Sequence, residues 1–295
     1  MRTYTDEEIN LIKEGIKNRI PKHIIVKSNF QSKFQEFNEN LRNLKIDYPR
    51  FSTKNNRIIK NNPFENLDNP EVQYWLGWLA TDGYVTLNGN RIALSLSVKD
   101  IDVLEKFKNF LNNDRLKLKH DTHHGKFEMV KLSFRSLDIL YFLYSDKVGF
   151  CENKTFEFYP KFKITKDYIR GVFEGDGYVR WYNLGASTNE FSIVSACREH
   201  ATVLNNWFHD NGFDTKIVEK QKGHKNVMYY IELYKKKQIQ DLMNLIYEDA
   251  HVFMNRKYDI ALAIRNDGVE SPKVGEPASG IPSQAAKWIA EGVTT

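Results

Sequence analysis

Asp82 and Asp176 stand in the same local pattern. The stretches YWLGWLATDGYV (74–85) and YIRGVFEGDGYV (168–179) both fit Y-x-x-G-x-x-x-x-D-G-Y-V, and the second begins 94 residues after the first. In each, a glycine is followed four residues later by a small residue: Gly77 and Thr81, then Gly171 and Gly175. Small residues at that spacing let two helix backbones approach closely. A glycine inside a helix costs about 0.5–1 kcal/mol relative to alanine, so a matched set needs a reason, and a helix–helix interface supplies one. Leu76, Trp78, Leu79, Val172 and Phe173 then anchor each helix to its own half. Packed side by side and parallel, the two helices bring both aspartates to one end, where the macrodipole is already negative. Two carboxylates there repel and raise each other's pKa unless a cation neutralises them. No cysteine or histidine cluster accompanies them, so the donor set is hard oxygen and favours a divalent cation, Mg²⁺ first. Gly83 and Gly177 allow the sharp exit that follows. One Asp-Gly is an everyday turn; two in matching context carry the weight.

The surrounding elements repeat as well. Each opening helix leads into a hairpin candidate: YVTLNGNRIALSLS, with Asn88-Gly89 as the turn, and YVRWYNLGASTNEFSIVS, with a looser connection. Amphipathic helices follow, DIDVLEKFKNFL with Asp100 as N-cap and REHATVLNNWFHDNG ending at Asn211-Gly212. Second hairpins come next, RLKLKH to EMVKLSF and TKIVEK to MYYIELY, and each half closes with a helix, SLDILYFLY and QIQDLMNLIY. Only the second half adds NRKYDIALAIRN. The expected fold is α+β, two pseudo-symmetric αββαββα repeats with a small helical N-terminal module.

The bulk properties bound the function. The chain has 295 residues, 41% of them hydrophobic, which is ordinary globular composition. Apolar runs such as LDILYFLYS fall well short of the ~20 residues that cross a bilayer. The start, MRTYTDEEIN, is polar and acidic rather than a secretory signal. Cys151 and Cys197 fit reduced thiols, and with them an intracellular, cytoplasmic setting. Net charge is +5, but residues 1–60 hold 13 Lys/Arg against 7 Asp/Glu, leaving the remainder near neutral. A basic module beside a neutral one is compatible with a polyanionic partner or with a merely solvated surface. Within it, Thr5 and Glu8 form a capping-box pattern ahead of the stripe Ile9, Ile12 and Ile16. FQSKFQEFNENLRNL gives a second helix, so the module reads as helix-turn-helix-like or as a plain helical cap. The expected division is 1–60 for this module, 61–160 for a linker and first repeat, 161–266 for the second repeat, and 267–295 for a flexible tail.

WLGWLATDG and IRGVFEGDG resemble the paired motif of the LAGLIDADG homing endonucleases in their single-chain, two-repeat form. Lys154-Thr155 and Pro160 before the second motif, and Arg256-Lys257-Tyr258 near the end, are similar to that family as well. The likeness spans roughly residues 70–265. It implies Mg²⁺-dependent cleavage of both strands of a long double-stranded DNA site, with Mn²⁺ as a substitute, by a monomer without membrane association. Carried over by position, Asp82 and Asp176 bind metal beside the backbone carbonyls of Thr81 and Gly175. The strands form a saddle in the major groove. Val85, Leu87, Ile92, Leu94 and Leu96 face the core, while Tyr84, Thr86, Asn88, Arg91, Ser95 and Ser97 face DNA. Arg115, Lys117, Lys119 and Lys131 continue that face, alternating with Leu116, Leu118, Val130 and Leu132. Arg180, Tyr182 and Lys216 do so in the second repeat, with Glu232 a weaker candidate. Lys131 is the kind of basic residue the family places near the reacting water. Its counterpart region reads Tyr230-Ile231-Glu232, so basic assistance is either asymmetric or supplied by Lys220 or Lys225. His120, His123 and His124 fall in a turn and read as loop residues rather than zinc ligands.

Two other readings use the same scaffold: an RNA-binding maturase that acts on intron RNA, and a DNA-binding regulator that does not cut. Retention of both acids argues for cleavage. The ending VTT lacks the His-Asn of protein splicing, so an intein is not expected. The host would be a phage, bacterial or organellar element.

Overall fold

The computed structural model describes residues 4–17, 25, 34–44, 46, 59, 62–87, 89–123, 127–182, 188–221 and 226–267. Asn88, most of 47–61 and the 268–295 tail therefore lie outside the described residues.

The N-terminal module contains α1 (Asp6–Lys17) and α2 (Phe34–Asn43). The capping box forms in both directions: Thr5 N–H donates to Glu8 Oε2 at 3.0 Å, and Glu8 N–H to Thr5 Oγ1 at 3.3 Å. Ile12, Ile25, Phe37 and Leu41 make a small core of their own, with Ile9 and Ile16 against it.

The first half runs α3 (Pro70–Ala80), β1 (Gly83–Thr86), β2 (Arg91–Ser97), α4 (Ile101–Phe110), β3 (Lys119–His123), β4 (Phe127–Phe134) and α5 (Leu137–Leu143). After a short helix α6 (Lys154–Glu157), the order repeats. The second half is α7 (Lys166–Asp176), β5 (Gly177–Arg180), β6 (Glu190–Ser195), α8 (Arg198–Asp210), β7 (Lys216–Lys220), β8 (Met228–Leu233) and α9 (Lys236–Tyr247), with α10 (Asn255–Arg265) added. Both sheets are antiparallel and four-stranded, ordered β1-β2-β4-β3 and β5-β6-β8-β7. The fold is thus α+β with the duplicated αββαββα order.

Alternation fixes which face is buried. Val85, Ile92, Leu94, Leu96, Val130 and Leu132 lie in the core, and their counterparts include Phe191, Ile193, Ile231 and Leu233. The first hairpin turns at Gly89, whose φ of +81° favours glycine, and Asn90 N–H closes the turn on the Leu87 carbonyl at 3.1 Å.

Several expectations need correction. Asp100 is the N-cap residue of α4 as expected, but its side chain makes no cap bond; Arg256 holds the carboxylate through Nε at 3.1 Å and Nη2 at 3.2 Å. A guanidinium offers two parallel charged donors, which outcompete a single backbone N–H. The strand β3 begins at Lys119, so Arg115 and Lys117 precede it, and His120 and His123 lie on the strand rather than in the turn. Continuing the leucine alternation back from the strand misplaced that start. Thr86 shares the outer face with Tyr84 and Arg91, but Glu152 covers it: it is buried, its Oγ1 donating to Glu152 Oε2 at 2.9 Å.

Candidate active site at the paired helix ends

Helices α3 and α7 touch along their small residues. A Cβ added to Gly171 would meet the Tyr74 carbonyl oxygen at 2.2 Å, and one on Gly77 would meet the Tyr168 carbonyl oxygen at 2.5 Å. At Gly175 it would meet Thr81 Oγ1 at 2.1 Å and Asp82 Oδ2 at 3.2 Å. Gly77 thus faces 168–172 and Thr81 faces Gly175, so the helices run parallel and in register. Both aspartates therefore arrive at the same end.

Both aspartates reach solvent, yet crowding by the surrounding protein and mutual repulsion shape their chemistry. The Asp82 carboxyl is pushed up to about 6, first by desolvation and then by the Asp176 charge, with Lys154 and Lys257 opposing. Burial also raises Asp176, against the same two lysines. An anion pair held above the usual carboxylate range, with no histidine or cysteine among the described groups that act on either acid, has the character of a hard divalent-cation site. Among the described residues no group of three or more His, Cys, Asp and Glu gathers to hold a metal. Two carboxylates with neighbouring carbonyls still fit Mg²⁺, which keeps several waters and takes few protein ligands.

The structure adds two lysines to which sequence reasoning assigned no role. Lys154 Nζ donates to the carbonyls of Ala80 at 2.9 Å and Thr81 at 2.7 Å. Lys257 Nζ donates to the carbonyls of Phe173 and Gly177, both at 2.6 Å. Each ammonium thus satisfies orphan carbonyls at the end of one acid-bearing helix and offsets its dipole. Burial lowers both lysines to about 8, with Asp82 and Asp176 drawing them back up. The expected metal carbonyl of Thr81 consequently already accepts one hydrogen bond. The motifs Lys154-Thr155 and Arg256-Lys257-Tyr258 were visible in the chain, but only the fold aims their ammonium groups.

A clasp between the halves delivers Lys257. The start of α10 sits on α4 of the first half through Arg256–Asp100, Asn255 N–H to Asp102 Oδ2 at 3.2 Å, and Lys106 Nζ to the Phe253 carbonyl at 2.5 Å. Beneath it, Glu174 is fully buried and accepts from Tyr74 hydroxyl at 2.6 Å, Tyr247 hydroxyl at 2.9 Å and Met254 N–H at 2.7 Å. This acid ties α3, α9 and the entry to α10 together around α7. The matching residue of the first half is Ala80. The contrast EGD against ATD was the available signal.

On the outer sheet faces, Tyr84 is 53% exposed, Arg91, Lys117 and Arg115 are exposed, and Ser95, Ser97 and Lys131 are half-buried. Lys119 stands directly opposite Lys131, and neither has an ion-pair partner among the described residues. In the second half Lys216 is exposed, Tyr182 is half-buried, and Arg180 pairs with Glu190 at 2.8 Å. Register settles the counterpart of Lys131. Leu94 opposes Leu132 in one sheet and Ile193 opposes Ile231 in the other, so Lys131 corresponds to Tyr230 and Ser133 to Glu232.

Residues 164–247 match the family model described as the LAGLIDADG-like domain. The matched segment covers α7 through α9, and the first half repeats its element order and its motif. No curated protein sequence matches the chain. Among solved structures, the LAGLIDADG meganuclease I-SmaMI bound to uncleaveable DNA is 13% identical, with 76% of this chain and 95% of that one covered and a TM-score of 0.48. I-AabMI bound to uncleaved DNA is 14% identical, covering 67% and 90%, with a TM-score of 0.44. The N-terminal LAGLIDADG domain of DUF199/WhiA is 14% identical, covering 68% and 92%, at 0.42.

Proposed function

We propose that the chain is a site-specific homing endonuclease. It hydrolyses both strands of a long double-stranded DNA target and so promotes the mobility of its intron or free-standing gene. One observation carries this reading: two aspartates, one from each half, meet solvent-exposed at the same end of a helix pair whose backbones are in contact. A lone acid could be a turn. A charge pair built at the cost of two tightly packed glycines has a use for its charge.

Asp82 and Asp176, with the carbonyls of Thr81 and Gly175, would hold the divalent metal, Mg²⁺ or Mn²⁺. When bound, that metal supplies Lewis-acid stabilisation of phosphate charge and a water acidic enough to attack. The protein's own groups do the rest. Lys154 and Lys257 fix the ends of the two helices, so the backbone that carries each carboxylate is held in place. Partial desolvation by the surrounding protein strengthens the charge interactions at the site. Lys119 and Lys131, like charges directly opposite on a sheet face, repel until a phosphate lies between them. Tyr84, Arg91, Ser95, Ser97, Arg180, Tyr182 and Lys216 line the sheet faces and supply groove contacts. Arg115 and Lys117 add phosphate contacts from the segment before β3.

The test is cleavage of a supercoiled plasmid carrying the uninterrupted host locus. With Mg²⁺ the expected product is linear DNA, and with Ca²⁺ the protein binds without cutting. Binding without cutting in Mg²⁺ would instead identify a non-cleaving regulator, and preference for intron RNA over duplex a maturase.

A further inference from the structure

The outer face of the second sheet carries a cluster with no counterpart among the described residues of the first. Glu232 is its most enclosed member, with a side chain 4% exposed, although Ile231 and Leu233 on either side take the core face. Its Oε1 accepts from Lys220 Nζ, and its Oε2 accepts from the Tyr234 hydroxyl at 2.6 Å. The Lys220 ammonium lies 4.3 Å over the Tyr230 ring. Beside them, Glu190 Oε2 accepts from Arg180 Nη2 at 2.8 Å. The side chains of Arg180 and Lys220 remain 36% and 45% exposed. The cations therefore reach solvent while Glu232, which holds Lys220, does not.

Charge decides what such a face can recognise. Two cations and two carboxylates of the cluster cancel, which leaves the exposed Lys216, directly opposite Glu232, as a cation that still pulls on the phosphate backbone. That pull grows with uncompensated charge and so is weak here. Direction survives the cancellation. A guanidinium and an ammonium pinned by carboxylates point their remaining N–H groups along fixed lines and have already lost much of their rotamer freedom. Groups of that kind suit the O6 and N7 acceptors of guanine in the major groove. On the first sheet Lys131 and Ser133 occupy the places of Tyr230 and Glu232, leaving net positive charge.

We infer that Glu232 is a positioning residue for base recognition, holding Lys220 and Tyr234 so that the second sheet selects its half-site by base edges. The inference rests on the DNA-binding reading above. It assigns the sequence-independent phosphate attraction mainly to the first sheet and the N-terminal module.

The test is selection from a pool of randomised duplex DNA, long enough to span a whole site, using the full chain, Glu232→Gln and Lys220→Met. The unaltered protein is expected to enrich one long site. Glu232→Gln should keep that site but lose about ten-fold discrimination at each base pair of a short run in one half, the scale set by one good base contact. The other half should not change. Lys220→Met should lose preference in the same run, which covers the case in which Glu232→Gln does not fold. Unchanged preferences in the variants, with only a lower melting temperature, would overturn the inference and leave ion pairs that merely hold the sheet. Failure of the unaltered protein to enrich any site would overturn the DNA reading itself, and the inference with it.

Discussion

The two halves agree where their backbones meet and diverge where they face outward. At the helix pair, Gly77 and Gly171 are interchangeable in role, each filled by the partner's backbone, and Lys154 and Lys257 brace equivalent ends. On the sheets, the first half sets Lys119 against Lys131, whereas the second neutralises Lys220 and Arg180 with Glu232 and Glu190. A duplicated unit tolerates change where no twofold relation is required. A contact made across the pseudo-twofold constrains both copies at once, while a side chain on an outer strand answers only to what that half touches.

The sharpest break should come from that shared contact and its support. Glu174→Ala leaves the Tyr74 and Tyr247 hydroxyls and the Met254 N–H without an acceptor and opens a cavity. Urea denaturation should register a loss on the order of 4 kcal/mol. Ala80, at the matching place, should accept serine almost without cost. Gly171→Ala and Gly77→Ala should each cost about 2–3 kcal/mol, because the new methyl group meets a carbonyl oxygen that belongs to a helix. A difference of more than a factor of two between these glycines would break the claimed equivalence.

A smaller effect concerns charge. The folded protein raises Asp82 to about 6, so it favours the protonated acid, and that stabilisation is complete below the unfolded value and lost as pH rises through 6. Without metal, Asp82→Asn should therefore match the parent at acid pH and exceed it in stability at neutral pH, by a margin that solvent screening of the exposed carboxyl keeps small. His200 is buried and lowered to about 3, so it contributes in the opposite sense. The measured quantity is for that reason the difference between variant and parent across a pH series. Mg²⁺ should raise the melting temperature of the parent and much less that of the variant. Smallest of all is the salt response. Lys131→Met should lower the slope of log affinity against log salt by about one unit, while Lys220→Met should barely move it.

The duplication, the glycine spacing and the strand alternation were legible because each leaves a periodic mark on the chain. Asp82 and Asp176 could be paired from that mark alone. Lys154 and Lys257 could not be given a role, since an ammonium that caps a distant helix leaves no period, only a residue within a short motif. Asp100 is the N-cap of α4 as its local position indicates, but nothing local records that Arg256, 156 residues away, holds its carboxylate. The start of β3 at Lys119 is set by pairing with β4, which the alternating leucines before it do not record. Glu232 was visible as an oddity, and only the sheet register placed it beside Lys220.

The central claim is that Asp82 and Asp176 are one site shared by two halves. Its most direct test is the product of Asp82→Asn and Asp176→Asn, each alone, acting with Mg²⁺ on a supercoiled plasmid that carries the bound site. Neither variant should yield linear DNA, although both should still bind the site in Ca²⁺. Linearisation by either one at the parent's rate would contradict the claim.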